Sequence, residues 1–297
     1  MRQGLLIVNL GTPLSYSKAD VRRYLRQFLS DPRVLDFNSV FRFFLLYLII
    51  LPFRTPKSAK AYEKIWLPEG SPLLVHSWDF VKKLRAKFKD IQHIELAMRY
   101  QEPSISSAVA KLKQAGVESV IVFPMFPPYS SAAWRFWEDS QIRVVPPFYE
   151  HHDFIASNAE IGSRALAAFK PDHVLMSFHG LPERHCQKSV PSDYGCCKRD
   201  NCCINLVEEN QFCYRAECFQ TARLMAQKLQ LPNSKWEVTF QSRMKQIPWI
   251  QPYTDVRLKE LAESGVKRLM VFCPSFVTDC LETVEEIEIR AKQDFIN

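Results

Sequence analysis

Apolar residues gather in short segments along the whole chain, separated by amphipathic stretches. Seven runs, at 5–10, 94–98, 120–126, 142–147, 174–178, 236–240 and 269–273, are rich in Val, Ile, Leu, Met and Phe. Short segments of this composition are candidates for buried strands. Between them, residues 105–115, 158–169, 221–229 and 256–264 carry apolar positions at helical spacing. Strands alternating with helices in this way predict βαβ units and parallel sheets. The pattern recurs in both halves, with a break near 149–154. It predicts an α/β fold of two Rossmann-like lobes, 1–150 and 151–297, facing across a cleft.

One apolar stretch stands apart. Residues 43–53 read Phe-Phe-Leu-Leu-Tyr-Leu-Ile-Ile-Leu-Pro-Phe, bracketed by Arg42 and Arg54. The run is well short of the ~20 residues needed to span a bilayer. Two readings stay open: a buried helix, or an amphiphilic lip resting on a bilayer or admitting an apolar ligand.

Composition adds less. The chain has 297 residues, 47% of them hydrophobic and 24% charged, as expected of a soluble globular protein. Its formal charge of +7 is dispersed. An anionic substrate or a membrane surface fits that balance as well as nucleic acid does, so no nucleic-acid role is inferred. Residues 1–3 lead straight into the first strand pattern without a leader-like segment, which predicts a cytoplasmic protein. There is no Gly-x-Gly-x-x-Gly or Walker motif, and only eight glycines occur, so nucleotide binding lacks support.

Seven of the nine cysteines lie between Cys186 and Cys218. A disulfide framework does not suit a chain of this size with no export signal. Clustered thiolates in a reducing compartment bind zinc or an iron–sulfur cluster. The doublets Cys196/Cys197 and Cys202/Cys203 do not match a zinc ribbon, while Cys213 and Cys218 have a loosely ferredoxin-like spacing. The expectation is a 2Fe–2S cluster held by one member of each doublet plus Cys213 and Cys218. Zinc, or an insert with adventitious thiols, are the alternatives.

The candidate chemistry lies after two buried runs. Ser-Phe-His-Gly-Leu-Pro at 177–182 places His179 just past one of them. The segment 274–286 follows another and carries Glu282 and Glu286, one helical turn apart. Open α/β sheets bind ligands outside the carboxyl ends of their strands. A lone histidine is more often structural, and two glutamates at this spacing more often form a solvated face. One imidazole and two carboxylates meeting at such an edge would handle protons and metal.

At these motifs the chain resembles the ferrochelatases along essentially its whole length. The matches include Asn-Leu-Gly-Thr-Pro at 9–13, Phe-Leu-Ser-Asp-Pro-Arg at 28–33, Arg-Thr-Pro-Lys at 54–57 and Gly-Ser-Pro-Leu-Leu at 70–74. They continue through Arg99 and Tyr100, Pro-Pro-Tyr-Ser at 127–130, the histidine motif, Gln-Ser-Arg at 241–243, Pro248 and Trp249, and Asp-Cys-Leu-Glu-Thr at 279–283. Each is weak alone; ten in family order are specific. The cysteine-rich insert resembles the bacterial subgroup with an internal 2Fe–2S segment.

The resemblance implies a lyase that inserts Fe²⁺ into protoporphyrin IX, the last step of haem biosynthesis. The ring must lose two pyrrole protons, so His179 is implied as the base or a metal contact. Glu282 and Glu286 are implied to accept protons or relay the cation, with His179 and Glu282 as contacts of the substrate Fe²⁺. Arg54 and Lys57 match positions that meet the propionates, where a guanidinium fork suits a carboxylate. Tyr62 and Trp249 are implied as aromatic surface for the macrocycle, and Arg99 and Tyr129 as further substrate contacts. The 43–53 lip would then be the mouth for a membrane-soluble substrate, giving peripheral contact with the inner membrane face. Alternatives are a chelatase for coproporphyrin or cobalt, and a non-catalytic porphyrin or haem carrier.

Several positions depart from the pattern. Gln101, Lys245 and Ser275 replace expected glycines, at a cost wherever the backbone needs positive φ. Cys280 stands where some relatives have histidine, leaving the metal preference there open. The resemblance also implies a strand and closing helix after the glutamate helix. The sequence ends at Asn297 without them, which predicts an exposed sheet edge.

Overall fold

Each of the seven apolar segments holds a strand in the computed structural model, which describes residues 2–129, 141–199, 201–244 and 247–296; the strands stop short of the expected ends at Pro124, Val144 and Phe272. In chain order the elements are β1 (Gln3–Gly11), α1 (Lys18–Ser30), α2 (Ser39–Ile65), α3 (Pro72–Lys87), β2 (His93–Tyr100), α4 (Ile105–Gln114), β3 (Ser119–Pro124) and β4 (Ile142–Val144). They continue with α5 (His152–Phe169), β5 (His173–His179), α6 (Glu183–Gln187), α7 (Tyr214–Lys228), β6 (Trp236–Gln241), α8 (Thr254–Glu263), β7 (Leu269–Phe272), α9 (Glu282–Ala291) and α10 (Lys292–Ile296). The chain divides into two compact units. One holds the described residues of 1–125, 130–146 and 278–285; the other holds those of 126–129, 147–277 and 286–297.

The first unit is built on a parallel sheet in the order β2-β1-β3-β4. Val8 of β1 registers with Ala97 on one side and Pro124 on the other. Successive strand residues face opposite sides of a sheet. Leu6 and Val8 therefore pack with Ala108 and Leu112 of α4. Ile7 packs with Val81 of α3. Both faces are covered, which is why β1 shows no polar alternation. Serines open the helices: the side chains of Ser17, Ser71 and Ser104 accept from the N–H groups of Asp20, Leu74 and Ser107.

The second unit repeats the plan with a parallel sheet in the order β6-β5-β7. Met176 and Phe178 of β5 pack with Ala222 and Met225 of α7. Leu175 faces the other way, among Leu258 and Leu261 of α8 and Ile287 and Ala291 of α9. The predicted α/β architecture with two parallel sheets is the one observed.

The 43–53 run is not a buried helix. It forms the middle of α2, where Phe43, Leu48 and Phe53 are 56%, 64% and 70% exposed, while Leu46 and Leu51 are buried. Apolar and basic side chains share the outer surface, because Arg54 and Lys57 are exposed on the same helix. The run alone is short, but α2 has 27 residues and a mean hydropathy of 1.4 over its most apolar window, enough to cross a membrane by length and composition. Its centre, Leu45–Ile50, is π-helical.

Of the three replaced glycines, Gln101 does sit at positive φ, 70°, a region that disfavours a side chain. Its N–H is held by the Gln27 side chain at 2.9 Å. Ser275 is not among the positive-φ residues, so that substitution carries no such strain. Lys245 lies outside the described residues, as does Ser130 of the 127–130 match.

Candidate active site

His179 is the last residue of β5, at the carboxyl edge of the second sheet. Its backbone is held on both sides: its N–H donates to Ser275 Oγ at 3.4 Å, and its carbonyl accepts from Tyr214 Oη at 2.8 Å. The imidazole lies between Trp249 and Phe276, each with its ring centroid 6.3 Å away. Gly180 makes this packing feasible. A Cβ there would come within 2.7 Å of the Gln241 carbonyl oxygen and 3.0 Å of the Trp249 ring. Gly180 N–H donates to that same carbonyl at 2.8 Å, which locks the strand exit.

Glu286 is fixed near the same edge. Ser242 follows Gln241, the residue in register with His179, and takes φ 64°. Its N–H donates to Glu286 Oε1 at 2.8 Å and its hydroxyl to Oε2 at 2.5 Å. Both carboxylate oxygens are thereby oriented. The second unit thus brings His179, Trp249 and Glu286 to the ends of β5 and β6.

Glu282 belongs to the first unit. It lines a cavity of about 20 Å³, room for about one water, together with Thr12, Tyr24, Tyr62 and Cys280. Burial and then the nearby Glu282 charge push the Tyr24 hydroxyl up. Burial, Tyr24 and Glu282 do the same to Tyr62. The Cys280 thiol is raised by burial and by Glu282. Protonated donors thus surround one carboxylate, an arrangement that can pass a proton or neutralise a cation. The helix carrying both glutamates, α9, is π-helical rather than α-helical. The division between units falls between Glu285 and Glu286, so the two carboxylates expected on one face have separate surroundings.

The remaining expected substrate contacts fall into two groups. Arg54 and Lys57 are exposed on α2. Tyr62 is only 6% exposed and packs against Tyr24 and Trp66, with centroids 6.4 and 6.1 Å away. Arg99 is committed to the fold: Nη2 reaches Asp31 Oδ2 at 2.5 Å and Nε donates to Tyr100 Oη at 2.7 Å. Burial raises the Asp31 carboxyl, but the Arg33 N–H and the Arg99 guanidinium hold it below its usual value. Beside this pair opens a cavity of about 410 Å³, also lined by Gln27 and Arg33. Tyr129 contributes its N–H to Glu217 Oε2 at 2.5 Å, and its ring lies 6.0 Å from Phe212.

The cysteine-rich segment forms a thiol pocket against α7. Cys196 Sγ lies 3.7 Å from Cys197 Sγ and 3.9 Å from Cys213 Sγ, and Cys202 Sγ is 3.5 Å from Cys203 Sγ. Cys186 hydrogen-bonds with Cys197 and Cys213, and Cys203 with Cys213. Hydrogen bonds from Cys186 and Cys196 hold the Cys197 thiol down to about 4, and those from Cys186, Cys196 and Cys203 lower Cys213. Arg215 Nη1 approaches Cys202 Sγ at 3.8 Å. Asn210, fully buried, shapes the loop by donating to the carbonyls of Cys202 and Asn205. Thiolate character beside a cation is what soft-metal ligation requires. The donor chemistry therefore fits an iron–sulfur cluster or zinc, although among the described residues no three His, Cys, Asp or Glu side chains already surround a common point.

Sequence reasoning put Cys218 in the ligand set and left out Cys186. Cys218 instead hydrogen-bonds with Tyr214, while Cys186 joins the thiol contacts. Also missed were Tyr214, Ser242, Ser275 and the buried Glu217. Ser242 lies in the 241–243 match and Ser275 at a replaced glycine, so both had a signal; Tyr214 and Glu217 had none.

Known proteins agree along the whole chain. The family model for ferrochelatase matches residues 2–297. A Coxiella burnetii (strain Dugway 5J108-111) protein named ferrochelatase is 46% identical over 304 residues, covering 98% of this chain and 84% of the relative. A Legionella pneumophila (strain Paris) protein of the same name is 45% identical over 312 residues, covering 99% and 90%. With its two parallel sheets and a histidine clamped at a strand end, this chain belongs to the ferrochelatase family.

Proposed function

We propose that this protein is a protoporphyrin ferrochelatase, inserting Fe²⁺ into protoporphyrin IX to complete haem synthesis. The observation that carries the reading is His179. Its backbone is bound at both N–H and carbonyl, and its ring is packed between two aromatic side chains, which leaves an oriented imidazole at a strand end. Replacing two pyrrole N–H protons by one dication conserves charge, so the protein must receive two protons for each Fe²⁺ delivered. An imidazole, which can take a proton on a ring nitrogen and pass it on, suits that task. Glu286, with both oxygens oriented by Ser242, is a second acceptor. Glu282, among protonated phenols and a thiol, relays a proton or the cation.

Arg54 and Lys57, exposed on α2, bind the propionates. Trp249 supplies apolar surface beside His179. Tyr62 lines the Glu282 cavity rather than offering a ring face. Arg99 and Tyr129 act behind the surface, through Asp31 and Glu217. The exposed apolar residues of α2, bracketed by Arg42 and Arg54, form a lip that rests on an anionic bilayer, the source of an apolar substrate.

Four thiolates from Cys186, Cys196, Cys197, Cys202, Cys203 and Cys213 hold a 2Fe–2S cluster. Bound there, the cluster supplies a covalent tie across the loop; metal insertion itself needs no electron.

Anaerobic incubation with protoporphyrin IX and Fe²⁺ tests the activity. Loss of the free porphyrin spectrum and appearance of haem above the protein-free rate is the expected result. Porphyrin binding without insertion would overturn it in favour of a carrier. Faster turnover with coproporphyrin, or with Co²⁺, would reassign the substrate. Iron and acid-labile sulfide in the anaerobically purified protein check the cluster, and zinc in their place would replace it.

A further inference from the structure

The thiol pocket and His179 are joined by a single turn of helix. Cys213 is the N-cap of α7 and its thiol lies among those of Cys186, Cys196 and Cys203. The next residue, Tyr214, is 8% exposed and donates its hydroxyl to the His179 carbonyl at 2.8 Å. The same hydroxyl hydrogen-bonds with Ser275, whose Oγ takes the His179 N–H. The residue after it, Arg215, points Nη1 at Cys202 Sγ and donates Nε to the Gln251 carbonyl at 3.0 Å. Gln251 lies two residues beyond Trp249, whose indole packs on the His179 ring. Two consecutive side chains thus run from the thiols to the two structures that fix the imidazole: its own backbone and its aromatic wall.

A helical turn moves as a body, and the Glu217 N–H to Cys213 carbonyl bond of 3.0 Å ties this one together. A shift of Cys213 therefore carries the Tyr214 hydroxyl with it. The His179 carbonyl has little slack, because Gly180 has no room for even a Cβ.

We infer that Tyr214, supported by Arg215, is a positioning residue through which the arrangement of the cysteine pocket sets the placement of His179. The inference rests on His179 being the working imidazole, but its test does not require turnover. Tyr214 touches no substrate; it acts through the His179 backbone.

The test is a double-mutant cycle read at His179. The full-length protein is labelled at its histidines, and the His179 ring resonances are assigned by their loss in His179→Gln. Cys197→Ser perturbs the pocket at its partly exposed thiol; Tyr214→Phe removes only the connecting hydroxyl. Each substitution alone is expected to move the His179 resonances, and the double variant to move them no further than one of the singles. In the assay, each single variant should lose about tenfold in kcat with porphyrin KM little changed, as expected when a reacting group is misplaced.

Full additivity of the two shifts, or unmoved His179 resonances in Cys197→Ser, would overturn the link. If Cys197→Ser does not fold, as judged by its thermal unfolding, Cys203→Ser takes its place with the same expectations. Non-additive shifts in a protein that inserts no metal would support the link while refuting the proposed activity.

Discussion

Ser242 binds both oxygens of Glu286, one through its N–H at 2.8 Å and one through its hydroxyl at 2.5 Å. It does so from φ 64°, a conformation disfavoured for a residue with a side chain. Ser242 directly follows Gln241, which pairs with His179. Local strain at such a position is tolerated where the orientation of a side chain matters. Ser242→Ala keeps the N–H bond and loses the hydroxyl bond, so kcat should fall at least about tenfold, since a hydrogen bond to a charged group is worth about 1.5–3 kcal/mol. Ser242→Gly loses the same bond but relieves the strain, so it should be equally slow yet no less stable. Wild-type turnover in Ser242→Ala would show that orienting Glu286 has no part in the reaction.

Arg99 and Arg54 should part company when truncated. The Arg99 and Asp31 side chains are 5% and 13% exposed and 2.5 Å apart. Removing the guanidinium takes the cation from a largely buried carboxylate and leaves it to the Arg33 N–H and the Tyr100 hydroxyl, at a cost of about 3 kcal/mol. Arg99→Ala is therefore expected to unfold several degrees below the wild type. Because Asp31 is held below its usual value, its contribution is present at neutral pH and lost as pH falls through the lowered value. The variant should accordingly lose less stability on acidification. An unchanged melting temperature with weakened porphyrin binding would instead mark Arg99 as a substrate contact.

Arg54→Ala should leave the melting temperature alone, since the side chain is exposed. Losing one charge-assisted bond to a propionate should raise porphyrin KM by about tenfold. The same substitution should have no effect on kcat at saturating porphyrin.

The α2 lip can be tested without the reaction. Phe53 is 70% exposed, so Phe53→Glu should fold normally. Sedimentation with vesicles containing anionic lipid should show it largely unbound where the wild type binds, because a carboxylate opposes both apolar insertion and surface attraction. Equal sedimentation of the two proteins would remove the lip from any membrane role.

The strands were legible because a parallel sheet covered on both faces takes apolar residues at neighbouring positions, as at Leu5 to Val8 of β1 and Val174 to Met176 of β5. The π-helical turns of α2 and α9 were not, since apolar spacing marks a buried face without specifying which carbonyl each N–H takes. His179 and the glutamates were found as residues. That Glu286 would be claimed by Ser242 while Glu282 sits with Tyr24 and Tyr62 depends on contacts far apart in sequence. Cys186 was counted in the cluster but left out of the ligand set for the same reason: it stands ten positions before Cys196, and only the fold closes that gap.

Glu217 was equally hidden, and it makes the sharpest pH prediction. It is 1% exposed on α7 and is pushed up to about 8, first by burial and then by Cys213 and Glu150, against the pull of the Tyr129 N–H. The folded protein therefore binds a proton at pH values where the unfolded chain, near the usual 4.5, has released it. The sign follows: this group's contribution is fully present below about 4.5, declines as pH rises, and is gone once the pH passes the folded value of about 8. The swing over that whole range is on the order of 5 kcal/mol, which a melting curve resolves easily. Glu217→Gln keeps an acceptor for the Tyr129 N–H and carries no charge at any pH. Melting temperatures should thus drop between pH 6 and pH 8.5 in the wild type and drop markedly less in the variant, with the gap opening only on the alkaline side. Parallel curves would mean that Glu217 is ionised throughout and that the Tyr129 N–H outweighs burial.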